Sequence, residues 1–165
     1  MSAHISRRSA IAAITAVALP LHAIDSRQPA PKFHAKSMDG ESFNNDSLKG
    51  KAVVIQFWAT WCKYCRRDQP ALESLVQELS SQGLVVLAVN VGESKSKVKQ
   101  YLASSPRISK IVMMQDTNLA ALYSAKAFPK YVAIDRAGKV AHEVTGAIGE
   151  ERLREMIAKA GIEAA

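Results

Sequence analysis

The sequence predicts an α/β fold in which a central mixed sheet carries helices on both faces. Three observations predict it. Two short apolar, β-branched runs, 51–57 (KAVVIQF) and 84–91 (LVVLAVNV), have the unbroken hydrophobicity of strands buried on both sides. Between them Leu72, Leu75, Val76 and Leu79 recur at the i, i+3, i+4, i+7 spacing of a helix. Further on, 131–134 and 140–144 oppose each other across Arg136-Ala137-Gly138, as the arms of an antiparallel hairpin do. Alternating strands and helices that end in a hairpin and a helix describe a layered sheet.

The elements follow in order. Residues 24–31 hold two prolines and read as a linker. Segments 32–36 and 41–43 flank the turn Met38-Asp39-Gly40, and Asp-Gly is a strong hairpin signal, so an N-terminal β-hairpin is expected. The strand at 51–57 leads into a helix after Cys65 that stops near Gly83. Pro70 lies inside it, and its missing N–H predicts a kink. After the strand at 84–91, Ser94 is placed to cap a helix over 94–103. A third strand is expected at 111–114, then a short helix over 119–123 begun at Asp116 or Thr117. The last helix covers 150–159, with Gly161 after it as a stop signal.

The chain has 165 residues, which suits one domain, and such a domain buries roughly 70% of its unfolded surface. No apolar run approaches the ~18–20 residues of a membrane-spanning helix, so a polytopic membrane protein is excluded. There is no internal repeat and no low-complexity segment. The 22 Lys and Arg against 15 Asp and Glu give a net charge of +7. These cations are scattered and few aromatics interleave with them, so no nucleic-acid partner is expected. The charge reads as solubility and attraction to acidic surfaces.

Residues 1–23 contain no acid; Arg7 and Arg8 precede a short apolar stretch, 10–19, then Pro20 and the small residue Ala23. That is the pattern of a secretory signal peptide cleaved after Ala23, which leaves a domain over 32–165 in a periplasmic or otherwise exported location. An uncleaved membrane anchor is the lesser alternative. Ser6-Arg7-Arg8 resembles a twin-arginine signal, although 9–11 fit that pattern poorly. No cysteine stands near the exit, which excludes a lipoprotein-type anchor.

Both cysteines lie in Trp61-Cys62-Lys63-Tyr64-Cys65, at a strand-to-helix junction. With Cys62 at the helix start, its sulfur meets the unsatisfied N–H groups of the first turn, which favour a thiolate. Cys65 lies one turn along and can close a disulfide. Lys63, Arg66 and Arg67 add positive charge, and in such motifs the thiol pKa falls from ~8.5 to ~3.5–7. Three plainer readings compete. A structural bridge over so short a loop constrains the unfolded chain little. A zinc site needs two further ligands, and only His34 and His142 follow the signal segment. Covalent haem attachment needs a histidine directly after Cys65, where Arg66 stands. A redox-active pair with no metal and no cofactor is therefore the favoured reading.

The segment Phe57-Trp58-Ala59-Thr60-Trp61-Cys62-Lys63-Tyr64-Cys65-Arg66, with Pro70 following, closely resembles the active site of thioredoxin-fold proteins. More narrowly it resembles the exported TlpA/ResA-like thiol–disulfide oxidoreductases. The resemblance runs over 31–161, through Pro31-Lys32-Phe33, Asp39-Gly40, 48–51 (LKGK), 89–94 (VNVGES) and 128–135 (FPKYVAID). It implies a thioredoxin fold with a central αβ insertion between Cys65 and Pro129. It also implies a catalytic and redox-disulfide pair, Cys62 and Cys65, that reduces client protein disulfides, for instance those of apocytochrome c or copper proteins. A membrane thiol reductant would recharge a monomeric enzyme.

The same resemblance makes Pro129 a cis proline beside the pair, next to backbone that can bind an extended client; the plain alternative is a turn proline. Phe128 before it is bulkier than usual. Glu93 would lie near the cysteines, tune their acidity and shuttle a proton. Otherwise it is a solvated loop residue beside the Ser94 cap. Gln56 stands where cytosolic thioredoxins carry a buried acid. At least one of Trp58 and Trp61 is expected in the core, and Trp61, next to Cys62, is expected to shield the sulfur and offer a flat contact surface. His142 reads as a surface residue. Two further activities are alternatives: a peroxiredoxin-like thiol peroxidase, and a non-catalytic metal or haem chaperone.

Overall fold

Strand β3 (Ala52–Trp58) forms the spine of the sheet, and every residue in it is buried. In the computed structural model, which describes residues 27–163, parallel pairing joins it to β4 (Leu84–Asn90), with Ala52 opposite Leu84 and Trp58 opposite Asn90. On its other side β6 (Lys130–Ile134) runs antiparallel and pairs in turn with β7 (Val140–Thr145). Strand β5 (Lys110–Thr117) lies parallel to β4, and the hairpin of β1 (His34–Ser37) and β2 (Ser42–Asn44) closes that edge. The seven-stranded order is β2-β1-β5-β4-β3-β6-β7.

The two-residue period of β3 divides the core. Ala52 and Val54 face helix α1 (Lys63–Leu79) and helix α4 (Gly149–Lys159), packing on Leu72, Leu75, Leu79, Leu153 and Met156. Val53, Ile55 and Phe57 face the other way, onto Phe33, Leu48, Leu119 and Tyr123. Full burial of each large apolar side chain contributes ~1.5–3 kcal/mol, so both layers are required to hold the spine strand. Helix α2 (Lys95–Ser104) covers the far end of the α1 face through Val98, near Trp58, Ala88 and Met113. The short helix α3 (Leu119–Leu122) covers the opposite face with Leu119.

Several boundaries differ from the sequence expectation. Helix α1 begins at Lys63 with Cys62 as its cap, as the reading of Cys62 at the helix start expects, and so takes in Cys65 rather than following it. The helix runs unbroken through Pro70 to Leu79, then tightens into a 3-10 turn over Ser80–Gln82. Gly83 ends that turn at φ 93°, a left-handed backbone that lets the chain reverse into β4. Strand β5 extends to Thr117 rather than stopping at Met114, because β1 supplies a partner for its second half, Ala35 opposite Thr117. Helix α3 starts after Asn118, not at Asp116 or Thr117, with the Thr117 hydroxyl accepting the N–H of Leu119 at 3.2 Å. The described end of the expected linker is not free: Pro29 bridges to Lys139, and Ala30 donates to the Gly138 carbonyl. The signal-peptide segment at 1–23 lies outside the described residues. Among the described residues no helix is long and apolar enough to cross a membrane.

Candidate active site

The site lies where β3 ends. Beyond Trp58 the chain turns outward at the carboxyl edge of the parallel strands, between a helical crossover on one side and an antiparallel neighbour on the other. That is a general position for binding sites in such sheets. Cys62 is the N-cap of α1, in an extended conformation, and its Sγ accepts the backbone N–H of Cys65 at 3.1 Å. Cys65 follows one turn later, its Cα 5.3 Å from that of Cys62, and the two sulfurs form a disulfide. The sulfur that caps the helix therefore already occupies the anion position of its first turn. No acidic residue stands in that turn, while Lys63, Arg66 and Arg67 are exposed around it.

The pair is more covered than the sequence suggests: Cys62 keeps 4% of its surface and Cys65 2%. The two tryptophans divide as expected between core and surface. Trp58 is buried, with the Arg107 guanidinium 4.8 Å from its ring and the Tyr101 ring 5.6 Å away. Trp61 is 63% exposed and meets Phe128 edge-on, ring centroids 6.1 Å apart. The Phe128–Pro129 peptide is cis, and Pro129 is buried. The Pro129 carbonyl accepts the N–H of Gly146 at 2.8 Å, whereas among the described residues the backbone groups of Phe128 have no partner. Phe128 is thus the point on this rim where an added strand finds a free donor and acceptor.

Glu93 reaches the segment before Cys62 rather than a sulfur. One carboxylate oxygen accepts the Thr60 hydroxyl at 2.6 Å and the Lys97 ammonium at 2.8 Å. The other accepts the Thr60 N–H at 2.7 Å and the Asn90 amide at 2.8 Å. Burial alone would raise this carboxyl, but the bonds from Asn90, Lys97 and Thr60 outweigh it and hold the pKa down to about 2. In this oxidised state Glu93 is ionised and saturated with donors. Its contact is structural: it fixes Thr60, two residues ahead of the reactive pair.

Beneath the pair lies a polar network that the sequence did not reveal. The Arg107 side chain, 1% exposed, donates to Glu73 at 2.7 Å and to Gln56 at 2.6 Å. Glu73 also accepts the N–H groups of Ile108 and Ser109 and the Ser109 hydroxyl. Gln56 donates to the Tyr131 hydroxyl, which donates to Asp68. Asp68 accepts the N–H groups of Ile148 and Gly149, so a side chain of α1 caps α4, whose own N-cap residue supplies no side-chain bond. Burial pushes the Tyr131 phenol up. The position read as a missing acid therefore holds an amide whose carbonyl is occupied by Arg107. The signal for Glu73 was present, because it falls between Gln69 and Val76 on the edge of the apolar stripe of α1. A charge there must find a partner.

Among the described residues no group of three or more metal-ligating side chains clusters. His34 and His142 lie on β1 and β7.

A disulfide across the first turn of a helix, at the carboxyl edge of a seven-stranded mixed sheet, defines a thioredoxin-like thiol–disulfide oxidoreductase. The comparisons agree and narrow the class. The model of the AhpC/TSA family matches residues 26–143, and the chain belongs to that family. It is 32% identical over 132 residues to the thiol-disulfide oxidoreductase ResA of Bacillus subtilis, covering 80% of this chain and 74% of that protein. The chain is a ResA-like thiol–disulfide oxidoreductase. A thiol:disulfide interchange protein of Chlorobium tepidum superposes with a TM-score of 0.74 at 27% identity, over 84% of this chain and 99% of the other. A secreted disulfide oxidoreductase of Mycobacterium tuberculosis shares the fold at 20% identity and a TM-score of 0.65, over 76% of this chain and 93% of that one.

Proposed function

We propose that this oxidoreductase works outside the cytoplasm and reduces disulfides in client proteins, with Cys62 as the attacking sulfur and Cys65 as the resolving one. The observation that carries the assignment is the Cys65 N–H donated to the Cys62 sulfur at the start of α1, because it favours negative charge on that sulfur. In the reduced protein the Cys62 thiolate attacks one client sulfur. A Cys62–client disulfide forms, and the other client sulfur leaves as a thiolate that takes a proton. Cys65, as thiolate, then attacks the Cys62 sulfur, closes the 62–65 disulfide and releases the second client thiolate. The client gains two electrons and the protein loses two; a thiol reductant at the membrane restores the dithiol.

The basic, acid-free N-terminal segment and the secreted relative support export. Likeness to ResA supports the reducing direction and clients such as apocytochrome c or copper-protein thiols. Pro129 and Phe128 receive the client backbone, Trp61 covers the sulfurs, Lys63 adds positive charge, and Glu93 positions Thr60. The test is to react the Cys65→Ala protein with a disulfide-bonded peptide. A stable mixed disulfide at Cys62 is expected, seen by mass and lost on reduction. A Cys62→Ser protein that still reduces the peptide at the unmodified rate would overturn the assignment. Equilibration of the 62–65 pair in glutathione buffers gives the potential, and reducing work requires a value below that of client disulfides.

A further inference from the structure

The surface around the pair is uneven in charge. Lys63, Arg66 and Arg67 are exposed on the first turns of α1, and among the described residues none of them forms an ion pair with a carboxylate. Tyr64, 49% exposed, carries two of these cations on its ring, the Lys63 ammonium at 5.1 Å and the Arg67 guanidinium at 5.6 Å from the centroid. Arg67 is steadied by the Ala147 carbonyl at 3.4 Å. The acids on this side are otherwise engaged. Glu93 is saturated by Thr60, Asn90 and Lys97, Asp68 is buried against α4, Glu143 pairs with Lys130, and Glu150 pairs with Arg154. Glu151, at the start of α4, is an exposed acid without such a partner. On the other side of the pair Trp61 and Phe128 present an apolar edge.

We propose that this surface selects clients whose reactive cysteine is flanked by acidic residues. An apolar client side chain rests on Trp61 and Phe128 while carboxylates meet Lys63 and Arg67 over the Tyr64 ring. The proposal rests on Cys62 as the attacking sulfur and adds the class of client. Two cations held on one ring are pre-placed, so a carboxylate gains from both without ordering either from scratch. Exposed pairs are individually weak, and two such contacts together give about a tenfold preference in rate at low salt.

The test uses the reduced full-length protein and three disulfide-bonded peptides that differ only in the residues flanking one cysteine: two Asp, two Ser or two Lys. Single-turnover reduction is followed by acid quenching, thiol blocking and chromatography. Each rate is divided by that of dithiothreitol on the same peptide, which removes intrinsic differences between the disulfides. The expected order is Asp, Ser, Lys, with about tenfold between the extremes at ~20 mM salt. The difference collapses by ~0.5 M salt, where charges are screened within a few ångström. In a Lys63→Glu/Arg67→Glu protein the order reverses, read as a ratio within that protein. Rates within twofold of one another at low salt, or a preference that survives 0.5 M salt, overturn the proposal while leaving the oxidoreductase assignment intact. Failure to reduce the Ser peptide at all overturns the assignment itself.

Discussion

Replacing Glu93 by glutamine removes one charge and changes little volume, so it isolates what the carboxylate does. Four donors converge on its two oxygens. A carboxamide supplies one accepting oxygen and turns an NH2 toward donors. The magnitude follows from the carboxyl being held at about 2 against an ordinary 4.5. At 1.36 kcal/mol per pKa unit that is about 3 kcal/mol of folded-state stabilisation. Lys97 is 55% exposed, so solvent screening trims the figure to about 2 kcal/mol. The sign is fixed by the direction of the shift. The folded-state carboxyl lies below its unfolded value, so the stabilisation is complete above about pH 5 and fades as pH falls from 4.5 toward 2. Urea unfolding of both proteins at pH 7, 5, 4 and 3 should give a gap of about 2 kcal/mol at pH 7, with a melting temperature ~6–8 °C lower for Glu93→Gln. The gap should narrow at pH 3. A gap below ~0.5 kcal/mol at pH 7, or one unchanged down to pH 3, refutes the assignment of Glu93 as an ionised clamp.

The buried network gives two further expectations. Arg107→Ala leaves Glu73 buried without its cation and strips Gln56 and the Trp58 ring of a partner. That should cost ~3–5 kcal/mol, or ~10–15 °C in melting temperature; a loss under 1 kcal/mol by urea unfolding would show that the pair is not coupled. Joint replacement, Glu73→Gln with Arg107→Met, should recover part of that loss, because no unpaired charge remains and the amide oxygen still accepts from the Ile108–Ser109 segment. Asp68→Ala removes the acceptor for the N–H groups of Ile148 and Gly149 and should cost ~2 kcal/mol. Asp68→Asn should recover more than half of it, since an amide oxygen still accepts; equal losses for the two variants in guanidinium unfolding would mean that capping of α4 is not what Asp68 provides.

Strands β3 and β4 were legible because burial on both faces leaves a continuous apolar run, and α1 because its apolar stripe, Leu72 to Leu79, repeats at helical spacing. The end of β5 was not legible. Met114 is exposed, and the rest of the strand exists because β1 pairs with it, a long-range contact without local signature. The start of α3 was misplaced for a related reason, since the Thr117 hydroxyl bonds forward to Leu119 from the end of a strand rather than as a helix cap. At the site, Cys62, Cys65, Pro129 and the exposed Trp61 could be read from spacing and resemblance. Arg107, Glu73 and Asp68 could not be assembled, because their partners lie 34 to 81 residues away and only the fold brings them together. Glu93 was placed in the right region, without the donors that surround it. A Val-Gly-Glu-Ser motif does not say how many donors will surround a carboxylate, and it is that number which decides whether the group holds a proton.

The carboxylates explain why the outward face can be positive. Asp68, Glu73 and Glu93 all lie close to α1 or to the segment before it, and each is turned inward and satisfied by protein donors. Their negative charge is therefore neutralised within the fold. What remains to act on the solvent side is the start of α1 together with Lys63, Arg66 and Arg67. The same field favours a thiolate at Cys62 and attracts an acidic client, so the two effects share their source. Reversing charge at Lys63 should consequently slow attack on every client while it shifts the preference among them. Reversal at Arg67, one turn further along α1, should act mainly on the preference, and comparison of the two single variants on the Asp and Lys peptides separates reactivity from selection.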